Sequence, residues 1–335
     1  MKFGRVPLAE AEGAILAHSL ALGNRRLRKG IVLTTQDLNQ IEAHGIIDVV
    51  AARLETSDLH EDTAARRLAA VLVPTPTAAH MSITPAFNGR VNFLAASAGV
   101  VTLDEESLSR FNSVDPMVSI ATLPPFQQVS PGDMVATIKI ISYGVSAESV
   151  ATAASFVDEP IRVIPPVLSS ASLIISEIDQ KLATGKGERV IAKRLNQLGL
   201  DLVDVTRTQH SEAEIAAALK SVQGDLVLIL TASATSDSHD VAPSAVRAAG
   251  GNVERFGMPV DPGNLLFLAS IGKRFVIGLP GCARSPALNG ADWVLSRIVC
   301  GIDVTSDDIA KMGVGGLLKE IPTRPQPRRQ TRAQL

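Results

Sequence analysis

Residues 225–251 read DLVLILTASATSDSHDVAPSAVRAAGG, and they decide the fold. Asp225 to Leu230 carries an unbroken aliphatic run, the pattern of a strand buried on both faces. Small and hydroxylic residues fill the next stretch, Thr231 to Asp240. Asp240 is placed as the N-cap of a helix that stops at Gly250-Gly251. Strand, polar loop and helix in this order form one repeat of an alternating α/β sheet.

The neighbouring stretches repeat the pattern. SASLIISEI, starting at Ser170, predicts an aliphatic strand. GKGERVIAKRLNQLG predicts a helix with Ile191, Leu195 and Leu198 on one face and Gly199 as its stop. DLVDVTRT predicts a second strand, and Ser211 with Glu214 gives a capping-box pattern ahead of Ile215, Leu219 and Val222. NVERFGM and RFVIGL predict further strands, and ALNGADWVLSRIVC a last helix stopped by Gly301. The fold class expected for residues 169–303 is therefore α/β, with a doubly wound, mostly parallel sheet in three layers.

Ahead of this domain two smaller segments are expected. Residues 1–73 read as an α/β segment: a helix from Thr35 to Gly45, a strand in IIDVVAA, and a helix in HEDTAARRLAAVLV. Residues 74–168 read as β-rich, with FLAASAGVVTL as one strand and DMVATIKIISYGV as another long one. Residues 304–335 are the C-terminal tail; from Ile321 it is rich in Pro, Arg and Gln, a composition expected to be disordered.

Composition narrows the function. Hydrophobic residues make up 46% and aromatics only 3%, so aliphatic side chains must fill the core. A net charge of −2 argues against general nucleic-acid or membrane-surface binding. Two cysteines, Cys282 and Cys300, are too few for a disulfide framework or a four-cysteine zinc site. The start lacks the apolar run of a signal peptide, and no stretch has the roughly 18 apolar residues of a membrane span. A soluble cytoplasmic protein is the expectation.

Ligands of such sheets bind outside the carboxyl ends of the strands. Four loops are expected there. The first contains Glu177 and Asp179. The second runs from Thr231 to Asp240. The third holds Asp261, Pro262, Gly263 and Asn264, and the fourth holds Pro280, Gly281, Cys282, Arg284 and Ser285. Small residues let backbone amides approach an anion, and Thr235, Ser236 and Ser238 add donors without bulk. Arg284 suits a phosphate partner. Each residue also has a plainer role: Asp240 as an N-cap, Cys282 as a small buried residue, His239 and Asp179 as solvated loop residues.

The order and spacing of these loops resemble the molybdopterin-binding family that includes the MoeA and MogA proteins. DLVLILTASATSDSHDVAPSAVRAAGG resembles its strand, Gly-Gly-Val-Ser-Val-Gly-type loop and helix. PVDPGN resembles its Pro-Gly-Lys-Pro loop, VIGLPGCARSP its Leu-Pro-Gly-Asn-Pro-X-Ser loop, and LIISEIDQ its strand leading to Thr-Gly-Asp-Glu. FGMPVDPGNLLFLASIG, LPGCARSPALNGADWVLSRIVCG and MKFGRVPLAEAEGAILAHSL further resemble the molybdopterin-binding half of bifunctional proteins that also carry a MobA-like nucleotidyltransferase domain. The Gly-rich, Arg- and Lys-containing loop of that transferase is not in this sequence, so the chain reads as the binding half alone.

The resemblance implies a set of roles. Ala232 and Ser233 stand at the family's two loop glycines, Thr235 at its serine, Asp237 at its third glycine and Asp240 at its acidic residue. Asp179 stands at the aspartate of the Thr-Gly-Asp-Glu loop. Pro262-Gly263 and Pro280-Gly281 match outright, Ser285 matches the following serine, and Cys282 replaces an asparagine. The implied ligand is molybdopterin or the molybdenum cofactor, contacted by Thr231, Ala232, Ser233, Thr235, Ser236, Asp237, Pro262, Gly263, Asn264, Pro280, Gly281, Cys282, Arg284 and Ser285. Asp240 and Asp179 are the implied catalytic pair and the implied ligands of Mg²⁺. The implied activity is binding and delivery of the pterin phosphate; the alternative is an enzyme of the same route, inserting molybdenum or activating the pterin through a nucleotide. Implied partners are a nucleotidyltransferase or a molybdoenzyme, and a homo-oligomer is expected.

Asp237 sets this sequence apart from the family pattern. A carboxylate about 4 Å from a phosphate costs roughly 4 kcal/mol at an effective dielectric near 20, unless a cation intervenes. Binding tolerates that change better than nucleotide chemistry does.

Overall fold

The alternation of aliphatic strands and amphipathic helices builds a mixed α/β structure, described by a computed structural model over residues 1–178 and 185–318. Asp179 and the tail from Ile321 lie outside the described residues. The chain divides into two units, Met1–Pro165 and Pro166–Leu335.

The first unit holds several small sheets and two separate cores. One core gathers Leu16, Leu33, Ile41 and Ala51 beneath a three-stranded sheet and the helix Thr35–Ala43. That helix starts at a full capping box, in which Thr34 and Asp37 exchange hydrogen bonds. The other core surrounds Leu68, Phe93, Phe111 and Ile138. Two expected strands come apart here. FLAASAGVVTL folds as Arg90–Ala95 and Gly99–Leu103, separated by a turn. Gly99 opens the second of these strands, where a Cβ would meet the Ile164 carbonyl oxygen at 2.2 Å, so this point demands a close backbone approach. DMVATIKIISYGV likewise divides into Met134–Ile140 and Gly144–Ser146, which pair with different neighbours.

Among the described residues, the second unit forms a six-stranded sheet with helices. Its elements are β1 (Ser170–Glu177), α1 (Lys186–Gln197), β2 (Asp201–Gln209), α2 (Glu212–Ser221), β3 (Leu226–Leu230), α3 (Val241–Ala248), β4 (Asn252–Phe256), β5 (Phe267–Ile271), β6 (Arg274–Leu279), α4 (Gly290–Val299) and α5 (Ser306–Lys311). The strand order is β2-β1-β3-β6-β5-β4. The first three pairings are parallel, and β5 runs antiparallel to both its neighbours. β5 was not anticipated: its five residues lie between two stretches rich in turn residues, without a pattern of their own. A two-residue turn, Gly272-Lys273, with Gly272 at φ +59°, returns β5 into β6.

Alternate residues of the central strands serve two cores, as a period of two requires. Leu173, Leu226, Leu228 and Leu230 pack with Ile191 and Leu195 of α1 and with Val294 and Ile298 of α4. Ile174, Val227 and Ile229 pack with Ile215 and Leu219 of α2 and with Ala242 and Val246 of α3. Gly278 of β6 lies opposite Phe267 of β5, and the ring fills the space where a Cβ would sit at 1.9 Å. Among the described residues, no helix is long and apolar enough to cross a membrane.

Candidate functional site at the carboxyl edge of the sheet

Strand register places the candidate loops on one rim. Glu177 pairs with Gln209, Ile175 with Leu230, and Leu230 with Leu279. Gly278 pairs with Phe267, and Phe267 with Phe256. The chain therefore leaves β1, β2, β3, β4 and β6 at the same edge of the sheet. The stretches 231–240, 257–266 and 280–289 all start there.

Hydrogen bonds tie these stretches together. Arg284 Nη2 donates to the Thr231 carbonyl at 2.8 Å, joining the loop after β6 to the loop after β3. Burial pushes the Arg284 guanidinium below its usual pKa, and the charge of Glu177 pulls it back up. Gly290 N donates to the Pro262 carbonyl at 2.8 Å, joining the loop after β4 to the start of α4. Gly263 is required at this contact. Its φ is +142°, and a Cβ would meet Gly290 N at 2.7 Å. The Asp261–Pro262 peptide is cis.

Arg194 of α1 holds the loop after β6 from beneath. It is 9% exposed and donates to the carbonyls of Ala283, Ser285 and Ala287 at 2.8–2.9 Å. Its Nε pairs with Asp292 at 2.6 Å. An arginine fork suits this task because its donors diverge in one plane. Sequence reading placed Arg194 on a helix without a role. Its three carbonyl partners lie about 90 residues away, and no local signal connects them.

The loop after β3 is organised by its own polar groups. Thr231 and Thr235 are buried, while Ala232, Ser233, Ser236 and Asp237 are exposed. Thr231 Oγ1 donates to the Ser233 carbonyl at 2.6 Å. Asp240 accepts from Ser236 N at 2.9 Å and from Val241 N at 2.7 Å. These amides, Ser236 first, hold its carboxyl below the usual range against the opposing effect of burial. Both Asp240 oxygens thus have backbone donors, Val241 N as the cap of α3 and Ser236 N from the loop before it. Among the described residues, no cluster of three or more His, Cys, Asp or Glu side chains is arranged to hold a metal ion. Asp179, the other expected carboxylate, lies outside the described residues.

Of the remaining expected residues, Pro280 is buried, Cys282 and Ser285 are half-buried, and Gly281 and Asn264 are exposed. Ser285 Oγ accepts from Ala287 N at 3.3 Å.

The rim also holds a pair of residues that sequence reading passed over. Ser176, 1% exposed at the end of β1, lies 2.8 Å from Nδ1 of His210, the first residue after β2. His210 Nε2 lies 3.0 Å from Ser233 Oγ. The available signal was positional: His210 directly follows a strand that ends at the carboxyl edge of the sheet. The capping pattern at Ser211 hid it, because that pattern reads the same residues as a helix start.

A cleft of about 350 Å³ elsewhere, between Leu108, Asn112, Ile120 and Pro124, belongs to the first unit. Another of about 310 Å³ lies along Glu254, Ser270, Phe275 and Thr305, on β4, β5, β6 and the segment before α5. Neither is lined by the rim loops.

Comparisons with known proteins give the following. Residues 5–53 match a family described as a domain of unknown function, DUF8806. No curated protein matches the chain. Among solved structures, the molybdopterin biosynthesis MoeA protein from Pyrococcus horikosii is similar over 90% of this chain and 75% of its own, at 11% identity and a TM-score of 0.33. A molybdenum cofactor biosynthesis protein B is similar over 39% of this chain and 88% of its own, at 14% identity and a TM-score of 0.28. A molybdopterin biosynthesis protein from Mycobacterium abscessus is similar over 41% of this chain and 94% of its own, at 15% identity and a TM-score of 0.27.

Proposed function

We propose that the second unit binds molybdopterin or the finished molybdenum cofactor at the carboxyl edge of its sheet, and presents it to a nucleotidyltransferase or a molybdoenzyme. One observation carries this reading: the loops bearing the family-like motifs leave the sheet at a single edge and are hydrogen-bonded to one another. Two cores on alternate strand residues support the three-layer arrangement the resemblance implies. Backbone amides of residues 233–235 and the exposed Ser233 hydroxyl are the donors for the pterin phosphate, with Arg284 as the neighbouring cation.

Binding is favoured over Mg²⁺-dependent catalysis by the state of Asp240. Its oxygens each accept a backbone amide, from Ser236 N and Val241 N, which accounts for the carboxylate as a structural group and leaves about one lone pair on each oxygen for any other partner. The enzymatic reading requires Asp179 and Asp240 to share Mg²⁺ instead. Asp240→Asn separates the two: it abolishes turnover if the carboxylate holds metal, and leaves pterin retention within a few-fold if it caps a helix.

The direct test is to incubate the purified chain with saturating molybdopterin, remove free ligand, and oxidise the retained material to its fluorescent pterin. Stoichiometric fluorescence supports the reading. Absence of retained pterin rejects it.

A further inference from the structure

We infer that His210 is a positioning residue that sets Ser233 Oγ as a hydrogen-bond donor to the phosphate of the bound pterin; this rests on the binding role proposed above. The direction of each hydrogen bond leads to it. Ala232 N donates to Ser176 Oγ at 3.2 Å, so that oxygen already accepts. Ser176 is buried, and its hydroxyl proton needs an acceptor of its own. Among the described residues, the acceptor within reach is His210 Nδ1 at 2.8 Å. Nδ1 is then unprotonated, and the neutral imidazole carries its proton on Nε2. Nε2–H donates to Ser233 Oγ at 3.0 Å. Ser233 Oγ accepts from the ring and keeps its own proton to give away.

The surroundings fix this chain of bonds in place. His210 N donates to the Glu177 carbonyl at 2.9 Å, which ties the ring's backbone to the end of β1. Thr231 Oγ1 donates to the Ser233 carbonyl, which ties the other end to the loop after β3. Ser233 is exposed at the rim, on the loop where the resemblance places phosphate-binding glycines. A glycine offers only its amide there. Serine adds a hydroxyl, and His210 determines that it donates. The recognised group is a phosphate monoester oxygen, which has lone pairs and, as the dianion, no proton.

The experiment has two arms on the full chain. In the first, oxidised molybdopterin retaining its phosphate, and the same pterin after phosphatase treatment, are titrated by fluorescence. The wild-type protein should prefer the phosphorylated form. Ser233→Ala and His210→Ala should each reduce that preference by about ten- to a hundredfold, a typical loss for one hydrogen bond to a charged group. Affinity for the dephosphorylated form should stay within about twofold of wild type, given that one bond is removed. His210→Gln, whose amide has both an acceptor and a donor, should restore most of the preference. Because Ser233 is exposed, its variant tests the idea even if replacement of His210 prevents folding. In the second arm, ¹⁵N NMR of histidine-labelled protein should show His210 as the Nε2–H tautomer. An Nδ1–H tautomer, or an unchanged phosphate preference in Ser233→Ala while the wild type discriminates, overturns the inference and leaves the pterin reading standing. Failure of the wild type to bind either form overturns both.

Discussion

Strand β1 has serines at both ends, and the two ends use them differently. At the amino edge, Ser169 and Ser170 turn their amides and hydroxyls onto one oxygen of Asp225, at 2.8–3.1 Å. Ser172 Oγ donates to Asp204 at 2.7 Å and accepts from Gly224 N at 2.8 Å. These groups close on one another and pin the strand starts together. At the carboxyl edge, Ser176 also enters a chain of hydrogen bonds, but that chain runs outward through His210 to exposed Ser233. The same residue types close one edge on itself and lead outward to an exposed side chain at the other. The contrast lies in where each network ends: among the strand starts at the amino edge, and on the exposed loop residue Ser233 at the carboxyl edge.

Four changes sharpen or break this contrast. The largest effect is expected from Arg194→Met. It removes the cation beneath the loop after β6 and leaves Asp292 and three carbonyls without their partner. A loss of about 3–5 kcal/mol is expected in urea denaturation, because breaking a buried pair strands the other charge. Little change would mean that the carboxyl edge is not braced by this residue.

Gly263→Ala should cost about 1–3 kcal/mol, since its Cβ meets the backbone of Gly290 rather than a flexible side chain. Thermal unfolding measures this, and pterin retention should fall with it. Asp240→Ala should cost about 1 kcal/mol through loss of the cap, and Asp240→Asn less than that. If asparagine proves as harmful as alanine, the carboxylate charge matters beyond capping.

The smallest effect concerns pH. Ser170 Oγ first, then Ser169 and Ser170 amides, hold Asp225 below the usual carboxylate range, and Ser236 N does the same for Asp240. A carboxylate whose folded pKa is depressed adds stability above its unfolded value, near 3.9, and loses it as pH falls through the folded value. Asp225→Asn should therefore be less stable than wild type at pH 7, with the gap closing as the solution is acidified below about pH 4. Because Asp225 is exposed, the gap is small. A gap that stays constant through acid would assign the loss to geometry rather than charge.

Much of the second unit is readable along the chain. Aliphatic runs mark β1, β3 and β6, and Ser211 and Asp240 mark helix starts that the structure also shows. These signals are local, so one stretch suffices to read each. β5 was missed because a short antiparallel strand borrows its stability from Phe267 packing over Gly278, two residues on different strands. Arg194 and His210 were missed for the same reason. Their side-chain partners lie 23 and 34 positions from His210 and up to 98 from Arg194. In the first unit, the stretch expected as one long strand, DMVATIKIISYGV, forms two, because Met134–Ile140 pairs with Arg90–Ala95 and Gly144–Ser146 with Asp58–His60, pairings no periodicity encodes. Motif order located the rim, while the bonds that organise it appear only once the sheet is assembled.

The central claim is that ligand binds at the carboxyl edge and not elsewhere on the second unit. Hydrogen–deuterium exchange of the full chain, with and without saturating molybdopterin, tests this most directly. Slowed exchange is expected in residues 231–240 and 280–289, with the amino-edge amides of Ser169, Ser170 and Gly224 unchanged. Protection centred on the amino edge or on the cleft along Glu254 and Phe275, or no protection at saturating pterin, would contradict the account.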